Sequence, residues 1–236
     1  MHSPQRCWAI IPAAGSGKRM GLGKPKQYLK LHNKYMLEYS VRLFCNYDRI
    51  NTVVVVLNET DSYWQLTKLD KEDKVITTHG GKERCHSVQN GLQAIKAKSK
   101  PDDWVFVHDA VRPCLQREDL DKMFLALENH PVGGILAVPV KDTIKRLSKS
   151  NILLETVNRK GLWHALTPQL FRFGLLDSAL KNAIENGNMV TDEAEAIELS
   201  GKYPMLIEGS SRNIKITKQS DIELASLYLM QQEDRL

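Results

Sequence analysis

Apolar residues along the chain fall into short unbroken runs separated by stretches of helical period. "CWAII" (Cys7–Ile11) and "TVVVVL" (Thr52–Leu57) are continuous, the pattern of strands covered on both faces. Lys74–Thr78 reads as a short strand, "WVFVHDAVRP" (104–113) as a strand ending in a charged loop, and "GGILAVPV" (133–140) as another strand. Between them, Met36, Leu37, Ser40, Val41 and Phe44 have helical spacing, as do Val88, Leu92 and Ile95, and Leu120, Met123, Phe124 and Leu127. Asp61–Leu69 is also predicted helical. Alternating strands and helices predict an α/β fold: a mostly parallel sheet with helices on both faces.

The alternation breaks at "DTIKRLSKSNILLETVNRKGLW" (142–163), two β-like stretches around the polar turn "SKSN". This predicts a protruding β-hairpin arm at about 139–163. Helices near Leu175–Ile184 and Asp192–Leu199, a strand at "NIKI" (213–216) and a final helix from about Gln219 complete the reading. Without a Pro/Gly/Ser-rich linker or an internal repeat, 1–236 reads as a single domain. The last predicted helix lies near the end of the sequence, so no second catalytic domain is expected.

Composition narrows the function classes. A chain of 236 residues can bury roughly 70–75% of its unfolded surface. With 42% hydrophobic and 26% charged residues it is neither disordered nor fibrous. The net charge of +5 is spread among interleaved acids and bases, so no nucleic-acid partner is expected. Cys7, Cys45, Cys85 and Cys114 form no C-x-x-C pair, which argues against a zinc or redox motif and for a reduced, cytoplasmic protein. Pro12 and the basic residues after it argue against a signal peptide. The longest apolar run, Val53–Leu57, is too short to span a bilayer, so no membrane partner is expected.

One basic cluster stands apart. After the first strand, Gly15, Gly17, Gly21 and Gly23 are interspersed with Lys18, Arg19, Lys24 and Lys26, and no acid intervenes. Neither familiar phosphate-loop template fits. Met20 stands where G-x-G-x-x-G needs its third glycine, and Pro12 and Arg19 spoil G-x-x-x-x-G-K-[ST]. The same physics can still operate: glycine lets backbone N–H groups approach phosphate oxygens, and cations add charge-assisted hydrogen bonds. The alternative is an ordinary surface turn. The glycine loop, "HGGKER" (79–84) and "HDAVRP" (108–113) all follow predicted strands, and the carboxyl edge of an open α/β sheet is where ligands bind. Asp109 is then either a turn residue or a Mg²⁺ ligand beside phosphates. Arg112 is either its salt-bridge partner or a fork for a second phosphate.

These residues also carry a resemblance. "PAAGSGKRM", "PKQYL", "GGKERCHSV", "VHDAVRPC", "GGILAVPVKDTIKR", "VNRKGLWHALTPQLF", "TDEAEAIE" and "EGSSRNIKIT" occur in the order found in the 2-C-methyl-D-erythritol 4-phosphate cytidylyltransferase family of the non-mevalonate isoprenoid pathway, which this chain resembles over nearly its whole length. The resemblance implies a Rossmann-like nucleotidyltransferase fold, a homodimer and a Mg²⁺-dependent transfer of CMP from CTP to the sugar-alcohol phosphate, releasing pyrophosphate. It implies that Pro12, Ala13, Ala14, Gly15, Ser16 and Gly17 wrap the CTP, with Gly81 and Ser87 at the cytosine and ribose and Asp109 and Ala110 beside them. Arg19, Lys26 and Lys215 would be the catalytic cations, and Asp109 the metal ligand. Arg112, Thr167 and Thr191 would hold the sugar phosphate from the same subunit. Thr143 and Arg159 would reach from the arm into the partner's site. Lys82 stands where the family often has an acid, and "HDAVRP" replaces "HDAARP". The latter change brings the chain nearer to cytidylyltransferases acting on ribitol 5-phosphate, the alternative alditol substrate.

The implied nucleophile is a phosphate monoester, already anionic, so no general base is required. Several residues keep structural readings. Thr143 and Thr167 suit strands on packing grounds. Thr191 is placed to cap the next helix. Asp192 and Glu193 are read as first-turn acids complementing the helix dipole. His108 and His164 are read as packed histidines. His79 and His86 lack metal-ligand spacing, so no structural metal is expected.

Overall fold

The computed structural model describes residues 5–15 and 24–233. The strands are β1 (Cys7–Pro12), β2 (Lys30–Leu31), β3 (Lys34–Tyr35), β4 (Thr52–Leu57), β5 (Val75–His79), β6 (Trp104–Val107), β7 (Gly133–Pro139), β8 (Ile144–Leu147), β9 (Leu153–Val157), β10 (Trp163–Arg172) and β11 (Met205–Glu208). The helices are α1 (Met36–Cys45), α2 (Arg84–Ile95), α3 (Arg117–Leu127), α4 (Phe173–Glu185), α5 (Glu193–Leu199) and α6 (Gln219–Glu233).

Seven strands form one sheet in the order β11-β7-β10-β6-β1-β4-β5. Every pairing is parallel except the two made by β10, which runs against both β6 and β7. The unbroken apolar runs follow from burial on both faces. Ala9, Ile11, Val53, Val55 and Phe106 meet α1 and α3 through Leu37, Phe44, Leu120 and Met123. The alternate residues Trp8, Ile10, Val54, Val56, Val105 and Val107 meet α2, α4 and α5 through Val88, Leu92, Leu180 and Ile197. A smaller cluster seats Ala225 and Leu229 of α6 against Leu29, Leu31, Met36 and Cys114. The predicted arm is present: β8 and β9 pair antiparallel around Ser148–Ile152, apart from the main sheet.

Two sequence expectations are corrected. Residues 61–69 contain only the 3-10 turn Trp64–Leu66 and the start of a second at Leu69. The Asp61 carboxylate accepts the N–H groups of Tyr63 and Trp64, each at 2.9 Å, which diverts the backbone into a turn. Lys68 then takes φ 57°, ending any helical run. "NIKI" is not a strand. Its backbone crosses the end of β6, where Ile216 N–H bonds Val111 O at 3.0 Å, and the edge strand is β11 instead. A strand with no counterpart in the sequence reading, β10, continues the chain past the arm. Pro168 argues against a central strand, and the structure accommodates it where the β10–β7 register shifts between Ala165 and Gln169.

Phe106 sits at the centre of this packing, with ring centroids 5.6 Å from Phe44 and 5.3 Å from Phe124. Phe106→Ala should lower the unfolding free energy by about 3–5 kcal/mol in denaturant titrations. Leu125→Ala, at a residue 82% exposed, should stay within about 0.5 kcal/mol of the parent.

Candidate active site

The carboxyl ends of β1, β4, β5 and β6 open on one side of the sheet around a cavity of about 690 Å³. β1 runs into Ala13, Ala14 and Gly15. Ala13 N–H still bonds Val56 O at 2.8 Å, so the loop leaves the sheet in a fixed direction. Gln27, on the 3-10 turn Lys26–Tyr28, donates from Nε2 to Ala13 O at 2.6 Å and to Gly15 O at 3.2 Å. This buried amide ties the loop to "PKQYL" and brings Lys26 to the cavity wall. Ser16, Gly17 and Arg19 lie outside the described residues.

β5 runs out into Gly80, whose N–H bonds Leu57 O at 2.7 Å. A Cβ there would stand 2.4 Å from Ala14 Cβ, so only glycine lets the two loops meet this closely. Gly81 N–H donates to Ser87 Oγ at 3.1 Å, and the hydroxyl bonds Glu83 O at 3.2 Å. Gly81 and Ser87 both line the cavity, next to Lys82 and Arg84.

β6 delivers Asp109 and Ala110 to the opposite wall. Asp109 is nearly buried and surrounded by cations. Lys215 Nζ is 2.8 Å from Oδ2, Arg84 Nε is 3.2 Å from Oδ1, and Arg112 Nε is 3.6 Å from Oδ2. Burial alone would raise its pKa, but Arg84, Lys215 and Arg112 together hold it well below the usual carboxylate range. Arg84 in turn grips Glu193 at 2.6 and 3.1 Å.

Behind Asp109 lies a closed polar chain. Asp109 N–H donates to Thr167 Oγ1 at 3.1 Å, and the hydroxyl donates to His108 Nδ1 at 3.0 Å. His108 Nε2–H donates to Arg112 O at 3.1 Å, since a carbonyl only accepts. Both ring nitrogens are therefore satisfied with the proton on Nε2. Burial pushes the His108 pKa down to about 4, so the ring is neutral near pH 7. Arg112 is buried too; its Nη1 donates to Asn213 O at 2.7 Å, while Asn213 Nδ2 donates to Thr167 O at 2.7 Å.

The structure thus gathers Pro12, Ala13, Ala14, Gly15 and Lys26 with Gly81, Ser87, Asp109, Ala110 and Lys215 around one cavity. Arg112 and Thr167 form the layer behind Asp109 rather than the cavity wall. Thr191 is exposed and does not cap α5. Its N–H and hydroxyl both bond Glu195, and the cap is Asp192, which accepts Glu195 N–H at 2.9 Å. Thr143 and Arg159 are exposed on the arm, where the Arg159 guanidinium donates to Lys141 O. His164 is exposed rather than packed. Gln27, Arg84 and Glu193 were not singled out as site residues from sequence. "GGKER" did place Arg84 just after a strand-end glycine turn, but Glu193 reads as an ordinary first-turn acid until its burial is seen.

Among the described residues no three His, Cys, Asp or Glu side chains gather to hold a metal. Asp109 and Glu83 are the carboxylates on the cavity wall, and both Asp109 oxygens are already paired with Lys215, Arg84 and Arg112.

Lysine and arginine outnumber acids around this cavity, with Lys26, Lys82, Arg84 and Lys215 against Glu83 and Asp109. Charge and placement together give an α/β protein whose strand-end cavity suits a phosphorylated, anionic ligand. Residues 7–231 match the family model described as 2-C-methyl-D-erythritol 4-phosphate cytidylyltransferase, and the chain belongs to that family. Proteins of that name from Vibrio vulnificus (strain CMCP6) and Pseudomonas fluorescens (strain SBW25) are 42% identical over 227 residues and 46% identical over 217, with 96% and 92% of both chains covered. A crystal structure of the Francisella tularensis 2-C-methyl-D-erythritol 4-phosphate cytidylyltransferase matches with a TM-score of 0.84 at 37% identity, covering 95% of this chain and 100% of that one.

His108 makes stability depend on pH. Its folded pKa of about 4 lies below the ordinary 6.5, so between these values the unfolded chain binds the extra proton. The stability is present above 6.5 and is lost as pH falls through that window, on the order of 3 kcal/mol in all. Denaturant unfolding at successive pH values should show this limb, and His108→Asn should flatten it. Asp109 has a depressed pKa, so its stabilisation is fully present above the ordinary carboxylate value of 3.8 and is lost only as pH falls below that value.

Proposed function

We propose that the cavity binds CTP and that the enzyme transfers its CMP unit to 2-C-methyl-D-erythritol 4-phosphate. The products are 4-diphosphocytidyl-2-C-methyl-D-erythritol and pyrophosphate, and the reaction belongs to isoprenoid precursor biosynthesis. The observation that carries the site reading is the set of cations at the strand ends, with Lys26, Lys82, Arg84 and Lys215 on the cavity wall. The phosphate oxygen of the sugar alcohol attacks the α-phosphorus, a P–O bond forms there, and the bond to the pyrophosphate oxygen breaks. The nucleophile is already an anion, so no proton has to be removed. What must be overcome is the approach of two anions, and catalysis is positioning plus electrostatic stabilisation.

Lys26 leans towards the 213–216 segment, with Nζ 3.4 Å from Ile216 O, so Lys26 and Lys215 approach the cavity from neighbouring positions. They are the residues proposed to stabilise charge on the α-phosphate, with Arg19 completing the set. Asp109 would hold Mg²⁺, which supplies charge neutralisation on the phosphates when bound. Arg112, Thr167 and Thr191 are assigned to the sugar phosphate, with Arg112 and Thr167 acting from behind Asp109.

The arm supports a homodimer. β8, β9 and the turn between them expose Leu147, Ile152, Leu153 and Leu154, an apolar surface that a second copy would cover. In that arrangement Thr143 and Arg159 would serve the partner's site. We place the enzyme in the cytoplasm, where its four buried free cysteines stay reduced. No helix of the described residues is long and apolar enough to cross a membrane.

Pyrophosphate release from CTP should be fastest with 2-C-methyl-D-erythritol 4-phosphate in a panel of alditol phosphates; a preference for ribitol 5-phosphate would reassign the substrate. Lys215→Ala and Lys26→Ala should each lower turnover about 10²–10³-fold, and near-normal turnover would remove that residue from the mechanism. Arg159→Ala should raise KM for the sugar phosphate with little change for CTP. Leu154→Asp should shift the protein towards monomer in sedimentation; an unchanged profile would argue against the arm as the interface.

A further inference from the structure

Arg84 opens α2 and divides its guanidinium between two acids. Nη1 and Nη2 reach Glu193 Oε1 and Oε2 at 2.6 and 3.1 Å, and Nε reaches Asp109 Oδ1 at 3.2 Å. Glu193 is fully buried on the first turn of α5. That turn is itself fixed. Gln169 of β10 accepts Ala194 N–H at 2.8 Å and donates to Asp192 Oδ2 at 2.9 Å, and Asp192 caps the helix. Gln169 stands opposite Val107, two residues before Asp109. A rigid path therefore runs from the sheet through α5 to Glu193, Arg84 and the cavity.

The geometry has a consequence for Asp109. A guanidinium presents its donors as a planar fork that matches a carboxylate with two parallel bonds. Glu193 occupies that fork, so Asp109 receives the single Nε contact. Its other oxygen stays with Lys215. Without a charged Glu193, the same fork would close on Asp109, the nearest remaining carboxylate, tying down both oxygens and drawing the arginine into the cavity. A buried acid with one partner is costly to keep, and dipole complementation does not require burial.

We propose that Glu193 is a positioning residue for nucleotidyl transfer, holding the forked end of Arg84 so that Asp109 remains aimed into the cavity with one oxygen shared with Lys215. The inference rests on the reading of Asp109 as part of the CTP site. Two variants test it from opposite ends. Glu193→Gln keeps the shape and removes the charge; Arg84→Lys keeps the charge and removes the fork. Each should lower kcat about tenfold or more per folded enzyme, with the folded fraction counted by circular dichroism and thermal unfolding, while KM for the sugar phosphate stays within about twofold; a kcat that returns to the parent value once scaled to folded protein would overturn the proposal. The double variant should fall no further than the worse single variant, because both break one unit.

Values of kcat within about twofold of the parent for either single variant, or fully additive losses in the double, would overturn the proposal. If Glu193→Gln does not fold, Arg84→Lys decides alone, since its side chain is partly exposed and can still pair with Glu193. Asp109→Asn separates the two levels. If it turns over normally, the placement of CTP at Asp109 falls and this proposal falls with it. If it is impaired while Glu193→Gln and Arg84→Lys are not, only the positioning role falls.

Discussion

The carboxylate of Asp109 is buried at the end of a central strand, and an anion in that place is tolerable only if cations and donors surround it. They come from distant parts of the chain: Arg84 from the start of α2, Arg112 from the turn after β6, and Lys215 from the segment after β11. One charge therefore fixes how three separate segments meet. It also sets the character of the cavity, because more cations are assembled around Asp109 than it can neutralise. A polyphosphate is the natural occupant of the surplus.

The neutral chain behind Asp109 complements the charged one in front. His108 and Thr167 are buried, and their hydrogen bonds run in one direction from Asp109 N–H to Arg112 O, while Asn213 braces the chain from the side by donating to Thr167 O. Such a network is rigid because every member is oriented by the next. It holds the backbone of residues 108–112 against β10. This is a reason for the sheet to insert one antiparallel strand among parallel ones: β10 brings Thr167 beside His108 and Gln169 beside α5, which a helix-covered edge would not do.

Much of this was legible in the chain. β1, β4, β6 and β7 announced themselves as unbroken apolar runs, because a strand covered on both faces has no polar side. α1, α2 and α3 showed their period because each buries a single stripe. The strand-end motifs "PAAG", "HGGKER" and "HDAVRP" pointed to one edge by topology alone. The misreadings have local causes. Asp61 captured two backbone amides and replaced a helix with turns. "NIKI" has strand-like composition, but its backbone and side chains serve the end of β6 instead of a ladder.

The sequence by itself determined the α/β alternation, the arm, the family motifs and the basic character of the glycine loop, since these depend on local period and residue type. Only the tertiary structure decided which charges pair. Arg112, a candidate cavity residue in the sequence, turns inward to Asn213 and Asp109. Glu193, a routine first-turn acid in the sequence, is sealed against Arg84. The physical reason is that a side chain's charge is written in the sequence, whereas its desolvation is not. Desolvation depends on what folds over the residue, and it is desolvation that turns an ordinary acid into one that must find a particular arginine.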